Sequence, residues 1–458
     1  ITQKKMIDMI LQARDDGIIQ VITDNGAGGL SSSIGEMAEL TGGARIDLSV
    51  VPLKQVGLSA WEILVSESQE RMTVGVNPAD CAAFEALADL HEVEATAVGS
   101  FTDDGIFHVK YGEQTVAYLP IGFLHEGVTQ LQLESEWTPP VHDPPNFPEI
   151  NSEEMGELLS RLMARPNIAS KEWWVRSYDH EVIAQSVIKP FCGVNHDAPG
   201  DAAVIAPIHG GTQGAVISCG ITPRYSDIDT YAMAAASIDE AVRNAVCVGV
   251  DLERMAGLDN FCWPDSVESE KTPDGRYKLA QLVRANRAVD DVCRAYQLPC
   301  ISGKDSMKND VIIDGEKISI PPTLLFSLLG NHHDVRKAVS SDFKNSGDLI
   351  YLLGESHQEL GASELAFMFS EEATKPDTPK VSSQAEGKCG IGGTVPAIDS
   401  ERNITMYRSL TGAMREVLVA SAHDCSDGGL AVALAECCIG ISAGCEVDIT
   451  AILAADAE

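Results

Sequence analysis

Apolar and polar positions along the chain alternate in two ways, one typical of helices and one typical of strands. Apolar residues at helical spacing predict helices over residues 6–13, 229–249, 279–297 and 406–413. Short apolar runs predict strands over residues 202–208, 215–219, 299–302 and 322–330. Strands that alternate with helices of this length are typical of α/β and α+β domains, and we predict that fold class.

The same pattern occurs twice, 400 residues apart. Residues 22–36 read ITDNGAGGLSSSIGE, and residues 422–436 read AHDCSDGGLAVALAE. A further strand is predicted after each copy, RIDLS at 45–49 and EVDIT at 446–450. Two copies of one α/β unit are therefore predicted. We expect the chain to be cut at both ends, because it starts without Met and the second copy stops at Glu458, much sooner than the first.

Five prolines within residues 137–150 indicate a connecting segment. Residues 370–400 are polar and rich in glycine and proline, which predicts a surface loop. The length of 458 residues is typical of about three domains.

Composition excludes several classes of protein. With 33 basic and 68 acidic residues, the formal charge is −35, so basic surfaces for nucleic acid or anionic membranes are not expected. No apolar run is long enough to span a membrane, and no signal-peptide pattern is seen. The twelve cysteines form no Cys-x-x-Cys pair, which favours reduced thiols in a cytoplasmic protein over disulfides or zinc. His332 and His333 are interpreted as turn residues.

The repeated motif Asp-x-x-x-Gly-Gly-Leu suggests phosphate chemistry. A strand delivers Asp24 or Asp424, and two glycines then begin a helix whose N–H groups attract phosphate, while the carboxylate can hold Mg²⁺. The alternative is a strand-to-helix turn that needs glycine only for a positive φ. The recurrence favours the first interpretation.

An acidic helix face gives a second candidate. Glu240 and Asn244 are four residues apart on a helix rich in Ala and Val, and a hard cation would satisfy their oxygens. With Asp201 and Asp424 they would form an all-oxygen set suited to Mg²⁺. The alternative is a surface ion pair between Glu240 and Arg243.

Two further polar segments are candidates for binding. Residues 302–306, SGKDS, fail the P-loop test because Leu298 occupies the required glycine position, yet a glycine turn with Lys304 and Ser306 can still contact phosphate. Residues 66–72, SESQERM, precede a predicted strand, with a solvated turn as the alternative. No Gly-x-Ser-x-Gly motif indicates covalent hydrolysis.

Together these stretches resemble the synthetase subunit of the phosphoribosylformylglycinamidine synthase family. The resemblance covers essentially the whole chain and is carried, in the family's order, by seven segments. They are residues 24–43, 64–72, 198–204, 239–249, 258–265, 302–307 and 423–436.

The resemblance implies a duplicated fold of N-type and C-type domains like those of aminoimidazole ribonucleotide synthetase. We expect a first C-type domain without its start at 1–140, a linker at 141–170, a second N-type domain at 171–335 and a second C-type domain without its end at 345–458. The lone N-type domain would expose its pairing surface, so a homodimer through N-type domains is expected.

The resemblance also implies a reaction. ATP and Mg²⁺ activate formylglycinamide ribonucleotide as an iminophosphate, and ammonia supplied by a glutaminase domain or subunit displaces the phosphate. Asp24 would bind Mg²⁺, and the substrate would contact Glu67, Ser68, Gln69 and Ser306. The nucleotide would contact Asp259, Gly303 and Lys304; some family members have a metal-binding Asn where Lys304 stands, so a phosphate contact is expected there.

A second, ancillary site is implied for a structural ADP with Mg²⁺. Its residues would be the metal ligands Asp201, Glu240, Asn244 and Asp424, with Ser426 on the nucleotide. No catalytic residue is named in this chain, and His196 and His209 are interpreted as turn residues. The fragment is expected to be inactive alone.

Two alternatives remain. One is another synthetase or kinase of the same superfamily, such as aminoimidazole ribonucleotide synthetase, thiamine monophosphate kinase or selenophosphate synthetase, although these have one N–C pair per chain. The other is a non-catalytic scaffold that binds ADP.

Overall fold

The computed structural model describes residues 1–178, 181–373, 392–441 and 443–450. The chain divides into two compact units, Ile1–Gln132 and Leu133–Glu458. Each unit has its own core and is described by itself.

The first unit combines five helices with a four-stranded sheet and a separate strand pair. Its helices are α1 Thr2–Asp15, α2 Gly29–Glu39, α3 Ala60–Leu64, α4 Cys81–Leu90 and α5 Ile121–Glu126. Its strands are β1 Ile19–Asp24, β2 Gly43–Asp47, β3 Met72–Val76, β4 Gly99–Thr102, β5 Ile106–Tyr111 and β6 Gln114–Pro120. The sheet order is β4-β2-β5-β6, with β2 and β5 parallel, and β1 pairs antiparallel with β3.

The core of this sheet lies beneath α2. Leu30 and Ile34 of α2 pack in one cluster with Phe107 and Val109 of β5, and each of these side chains is at most 6% exposed. Burying large apolar side chains of this kind contributes roughly 1.5–3 kcal/mol each. The helix that begins at the glycine motif is thereby fixed against the sheet.

The second unit is built on a six-stranded mixed sheet of order β13-β12-β16-β11-β10-β7. These strands are β7 Ser186–Ile188, β10 Ala203–Ile205, β11 Gly214–Ile221, β12 Asp251–Cys262, β13 Cys300–Ser306 and β16 Thr323–His332. Only the β12–β13 pair is parallel among these. Two short antiparallel pairs accompany the sheet, β8 Phe191–Cys192 with β9 Ala198–Pro199 and β14 Asp310–Ile313 with β15 Glu316–Ser319.

Helices cover one face of the six-stranded sheet. The central helix α8 Thr230–Cys247 is capped by the Asp229 side chain, which accepts from Tyr231 N at 2.9 Å. Its small side chains let it lie close to β11 and to helix α9 Gly275–Tyr296. The remaining helices are α6 Met155–Met163, α7 Glu172–Val175, α10 Glu364–Ala373, α11 Ser400–Arg415 and α12 Gly429–Ile439.

Most predicted elements are confirmed, and two predicted strands need correction. The strand expected at 299–302 runs on to Ser306, so Gly303 and Lys304 lie in β13 and not in a turn. Residues 443–449 form no strand, although one was predicted at 446–450. In the first copy the corresponding β2 pairs with β4 and β5. Among the described residues no strand pairs with 443–449, and an unpaired strand leaves its backbone unsatisfied.

The proline-rich segment 137–150 has neither helix nor strand, as predicted, but the predicted linker 141–170 contains α6. Of the predicted surface loop 370–400, residues 374–391 lie outside the described residues, and α10 occupies its start. The four predicted domain boundaries stay a prediction. Among the described residues, no helix combines the length and apolar character needed to cross a membrane.

Candidate functional site

The two glycine motifs adopt the same turn. Gly28 and Gly29 have φ of +85° and +55°, and Gly428 and Gly429 have φ of +86° and +65°. The amide of Gly29 donates to Gly26 O at 2.9 Å, and the amide of Gly429 donates to Ser426 O at the same distance. Positive φ at these positions favours glycine. The turn therefore requires glycine in both copies. The repeat is therefore one of backbone conformation as well as of sequence.

Strand pairing in the first unit brings Asp24 beside the SESQERM segment. Asp24 ends β1 and lies opposite Met72 of β3, and the amide of Asn25 donates to Arg71 O at 3.3 Å. A Cβ on Gly26 would lie 3.1 Å from Asp24 Oδ2, so the carboxylate rests over the bare glycine backbone. The predicted metal ligand and the predicted substrate segment thus share one side of this strand pair.

The SESQERM segment is held against the glycine turn from two directions. A Cβ on Gly29 would lie 2.3 Å from Ser66 O, so a larger residue does not fit there. Arg71 Nε donates to Ser68 O at 3.0 Å, and its terminal nitrogen donates to Ser66 O. Glu67, Ser68 and Gln69 remain exposed. The structure therefore presents these three side chains to solvent on a braced loop.

A second group of predicted residues meets where β12 and β13 run side by side. Asp259 lies opposite Gly303 in the parallel register, and a Cβ on Gly303 would lie 2.5 Å from Asp259 Oδ1. Burial raises the pKa of Asp259, and Asp305 raises it further. Lys304 is exposed, and Ser306 Oγ donates to Asn309 Oδ1 at 3.1 Å. Asp259 and Gly303 are therefore in contact, Lys304 and Ser306 lie further along β13, and their roles toward nucleotide and substrate stay a prediction.

The third group lies around the second glycine motif. His423 Nδ1 is 2.7 Å from Asp201 Oδ1, and His423 Nε2 is 2.9 Å from Glu436 Oε2. The ligand atoms of Asp201, His423 and Asp424 all lie within 4.8 Å of one another. Burial alone would lower the pKa of His423, but its bonds to Asp201 and Glu436 raise the pKa to about 10. The second copy thus gathers Asp201 and Asp424 into one buried cluster.

Glu240 and Asn244 contact β11 instead of joining this cluster. Glu240 Oε2 accepts from Ile221 N at 2.8 Å, and Asn244 Nδ2 donates to Cys219 O at 3.0 Å. Burial, with the charge of Asp424 nearby, raises the pKa of Glu240 to about 7. The polar side chains therefore satisfy backbone groups of β11, and Glu240 still lies close enough to interact with Asp424. Their assignment as metal ligands stays a prediction.

The alternative ion pair between Glu240 and Arg243 is not formed. Arg243 instead pairs with Asp239 and, at 3.3 Å, with Asp424 Oδ2. Asp239 is 1% exposed and also accepts from Tyr407 OH at 2.9 Å, from Asn403 Nδ2 at 3.1 Å and from Tyr296 OH. A buried charge is stable only when paired and hydrogen-bonded. This network anchors Arg243 beside Asp424.

Sequence reasoning missed His423, Glu436, Arg243 and Asp239 as members of this group. His423 directly precedes Asp424, and Glu436 was seen only as a repeated position, so adjacency was the available signal. Their contacts join residues up to 222 positions apart, which no local pattern reports.

Four other histidines are predicted to be turn residues. His196, with φ of +53°, and His209 lie in turns, as predicted. The turn assignment is wrong for His332, which ends β16 and is 5% exposed. Among the described residues, neither His332 nor His333 belongs to a cluster of three metal-ligating side chains.

The donor set around Asp201 fits a hard divalent cation. Asp201 Oδ2 is buried and has no hydrogen-bond partner, which is costly for a carboxylate oxygen unless a cation satisfies it. Ser426 Oγ lies 3.4 Å from Asp424 Oδ1, so a hydroxyl also faces this group. Oxygen ligands from Asp201, Asp424 and Ser426 suit Mg²⁺.

Comparison with known proteins gives consistent matches. The model "AIR synthase related protein, C-terminal domain" matches residues 1–112 and 345–458, and the corresponding N-terminal domain model matches residues 199–320. A curated relative, phosphoribosylformylglycinamidine synthase subunit PurL from Anaeromyxobacter sp. (strain Fw109-5), is 33% identical over 460 residues, covering 97% of this chain and 54% of the relative. The chain therefore spans about half the length of the curated relatives it matches.

The solved structures that resemble this chain include PurL proteins as well. PurLQS from Thermotoga maritima is 26% identical with a TM-score of 0.52, covering 74% of this chain and 50% of that chain. T. maritima PurL complexed with ADP is 25% identical with a TM-score of 0.52, covering 74% and 53%. The chain belongs to the AIR synthase related family, with both of its domain types and a duplicated C-terminal type, and groups there with the PurL subunits of phosphoribosylformylglycinamidine synthase.

Proposed function

We propose that this chain is part of a PurL-type synthetase that converts formylglycinamide ribonucleotide to formylglycinamidine ribonucleotide with ATP and ammonia. The observation that carries the proposal is the braced, exposed loop Glu67–Gln69 beside Asp24 in the first unit. The names of the curated relatives and the ADP complex of the T. maritima protein support the same reaction class.

In this mechanism the residues of this chain bind the substrate and the nucleotide and orient them. Glu67 accepts hydrogen bonds, and Ser68 and Gln69 both donate and accept, which suits ribose hydroxyls and an amide. The exposed Lys304 contributes a positive charge to phosphate, and Ser306 offers a hydroxyl. Mg²⁺ held by Asp24 would neutralise charge on the triphosphate. Gly303 has no side chain and so lets the Asp259 carboxylate lie against β13, where both residues would contact the nucleotide.

For the second site, we propose a structural role with Mg²⁺ and a nucleoside diphosphate. The glycine turn before α12 presents helix N–H groups to phosphate, and the unpartnered Asp201 Oδ2 faces a group of oxygen donors. The first copy repeats the turn in a setting with different neighbours, so the two sites are distinct.

The proposed partners are a glutaminase subunit that supplies ammonia and a second copy of this chain. The PurLQS structure of T. maritima is the relative that supports a multisubunit enzyme. A second copy is supported by apolar side chains on the uncovered face of the six-stranded sheet, where Ile217 and Leu329 lie opposite each other and are 46% and 43% exposed. We propose a cytoplasmic location, since every cysteine among the described residues is a free thiol.

Titration of the chain with formylglycinamide ribonucleotide in the presence of Mg²⁺ and ATP tests the substrate assignment. We expect calorimetric binding for the wild type and at least a tenfold weaker signal for Gln69→Ala, because Gln69 lies on the exposed loop. Glu126→Gln, at the end of α5, serves as control and should bind like the wild type. Absence of wild-type binding contradicts the substrate assignment, and ammonia-dependent ADP release by the chain alone would contradict the expectation that it is inactive by itself.

A further inference from the structure

His423 is a buried side chain whose two ring nitrogens both contact carboxylates. Its side chain is 9% exposed, and those of Asp201 and Glu436 are 2% and 17% exposed. The proposed reaction and the proposed cation ligands leave this histidine without a role. His423 nevertheless lies between two acids and connects Asp201, in the bend before β10, to Glu436 of helix α12.

We propose that His423 is a positioning residue for the second site, which fixes the Asp201 carboxylate so that one oxygen is free for a divalent cation. This inference rests on the proposed cation site. Asp201 Oδ1 is occupied by His423 Nδ1 at 2.7 Å and by the amide of Asp424 at 3.3 Å. Asp201 Oδ2 receives no hydrogen bond and is buried. The two oxygens of the Asp201 carboxylate therefore have different roles: Oδ1 is hydrogen-bonded, and Oδ2 is left for the cation.

Glu436 completes the arrangement from the other side of the ring. Its Oε2 lies 2.9 Å from His423 Nε2, so the imidazole plane is held at both nitrogens. Side chains that contact a metal ligand orient it, and their loss typically weakens metal binding by about 10- to 100-fold. The chain Glu436–His423–Asp201 has this form, with α12 as its rigid support.

The two copies of the repeat differ at the positions that build this chain. The first copy has Thr23 at the position of His423, and Glu36 at the position of Glu436 accepts from Ser32 Oγ at 2.9 Å. In the second copy the position of Ser32 is Val432, which is 1% exposed and offers no hydrogen bond. Loss of the serine partner and gain of the histidine partner occur together. In the second copy Glu436 therefore contacts His423, whereas Glu36 in the first copy contacts Ser32.

Two substitutions of His423 each remove one of the two contacts that its ring makes. In His423→Asn the amide nitrogen can take the place of Nδ1 and donate to Asp201, while contact with Glu436 is lost. In His423→Gln the longer side chain reaches toward Glu436 and leaves Asp201 unheld. We expect Mn²⁺ affinity, measured by electron paramagnetic resonance on the full chain, to stay within about threefold for His423→Asn and to fall about 10- to 100-fold for His423→Gln.

A second readout distinguishes positioning from simple structural support. Structural support predicts that each variant lowers the unfolding temperature equally with and without Mn²⁺. Positioning predicts that the temperature rise produced by Mn²⁺ shrinks in His423→Gln and survives in His423→Asn, because at a given Mn²⁺ concentration a more weakly bound ligand stabilises the folded state less. This comparison remains informative when both variants are less stable than the wild type.

The outcomes are separable. Wild-type protein that binds no Mn²⁺ overturns the cation site and the inference with it, whereas Asp201→Asn should remove the Mn²⁺ of the second site and leave the Asp24 site unaffected. Wild-type binding that is unchanged in His423→Gln, or reduced equally in His423→Asn, overturns the positioning role alone. Glu436→Gln should weaken Mn²⁺ binding less than His423→Gln, since it leaves the Nδ1 contact in place.

Discussion

At the residue scale, buried polar side chains are placed by long-range partners. Asp239 holds Arg243, which in turn reaches Asp424 on the other side of the cluster. His332 shows the same principle outside the site. Its Nε2 contacts Val248 O at 3.1 Å, and its Nδ1 accepts from Asp334 N at 3.2 Å. Both nitrogens are thus satisfied only in the neutral ring.

A pH-dependent stability follows for His332. Burial lowers the pKa of His332 from its ordinary value of 6.5, so near and below pH 6.5 the unfolded chain binds more protons than the folded one. The free energy of unfolding then rises with pH through this window, and the contribution is lost as pH falls toward the folded pKa. We expect His332→Gln, which can still donate to Val248 O, to lose less stability between pH 7.5 and 5.

Urea denaturation at several pH values measures this effect. His209→Gln, in an exposed turn, is the control and should keep the wild-type slope. Equal slopes for His332→Gln and the wild type would show that the buried ring does not contribute to the pH dependence.

At the scale of elements, close approach between α8 and β11 sets the position of Glu240 and Asn244. A Cβ on Gly220 would lie 2.1 Å from Ser237 O and 2.7 Å from Ala241 N. The bare glycine therefore lets the helix backbone approach the strand, and it brings both polar side chains within reach of β11.

Gly220→Ala should therefore destabilise the second unit. Since the clash is with backbone atoms, neither element can relax cheaply, and we expect a loss of about 1–3 kcal/mol in the free energy of unfolding. Gly156→Ala in α6 is the matched control, because a Cβ there meets no atom within 4 Å and alanine favours the helix by up to about 1 kcal/mol. Opposite shifts in urea midpoints confirm the argument, and equal shifts contradict it.

At the scale of the whole molecule, the six-stranded sheet packs one face against α8, and its other face carries exposed apolar side chains within the part of the chain that the structure describes. Along β11 and β16, every second side chain packs into the core beneath α8, while the intervening ones include Ile217, Ile221 and Leu329. Exposed apolar side chains that line up across neighbouring strands are typical of an interaction surface. The formal charge of −35 opposes such association by repulsion, so it should be stronger at higher salt.

Ile217→Asp tests the proposed homodimer. We expect the wild type to show a dimer mass by light scattering that depends on concentration, and the variant to stay monomeric, because a buried unpaired carboxylate in the interface is costly. Val283→Asp on α9, where the valine is 37% exposed, is the control and should dimerise like the wild type. A monomeric wild type at high concentration would contradict the homodimer.

The sequence by itself determined the features that depend on neighbours along the chain. The repeated glycine turns, the long helices and the exposed polar loop at 67–69 were all predicted from local patterns and the family resemblance. Positive φ at Gly28 and Gly428, for example, is a property of the residue and its immediate turn.

Only the tertiary structure decided the features that depend on distant partners. The strand predicted at 446–450 is not formed, because a strand needs hydrogen-bonding partners that its own apolar pattern cannot supply. Likewise, His423 meets Asp201 across 222 positions, and Glu240 turns to β11 instead of Arg243. These contacts arise from how the elements pack, so the amino-acid pattern names residues of the proposed second site but not the histidine that contacts Asp201.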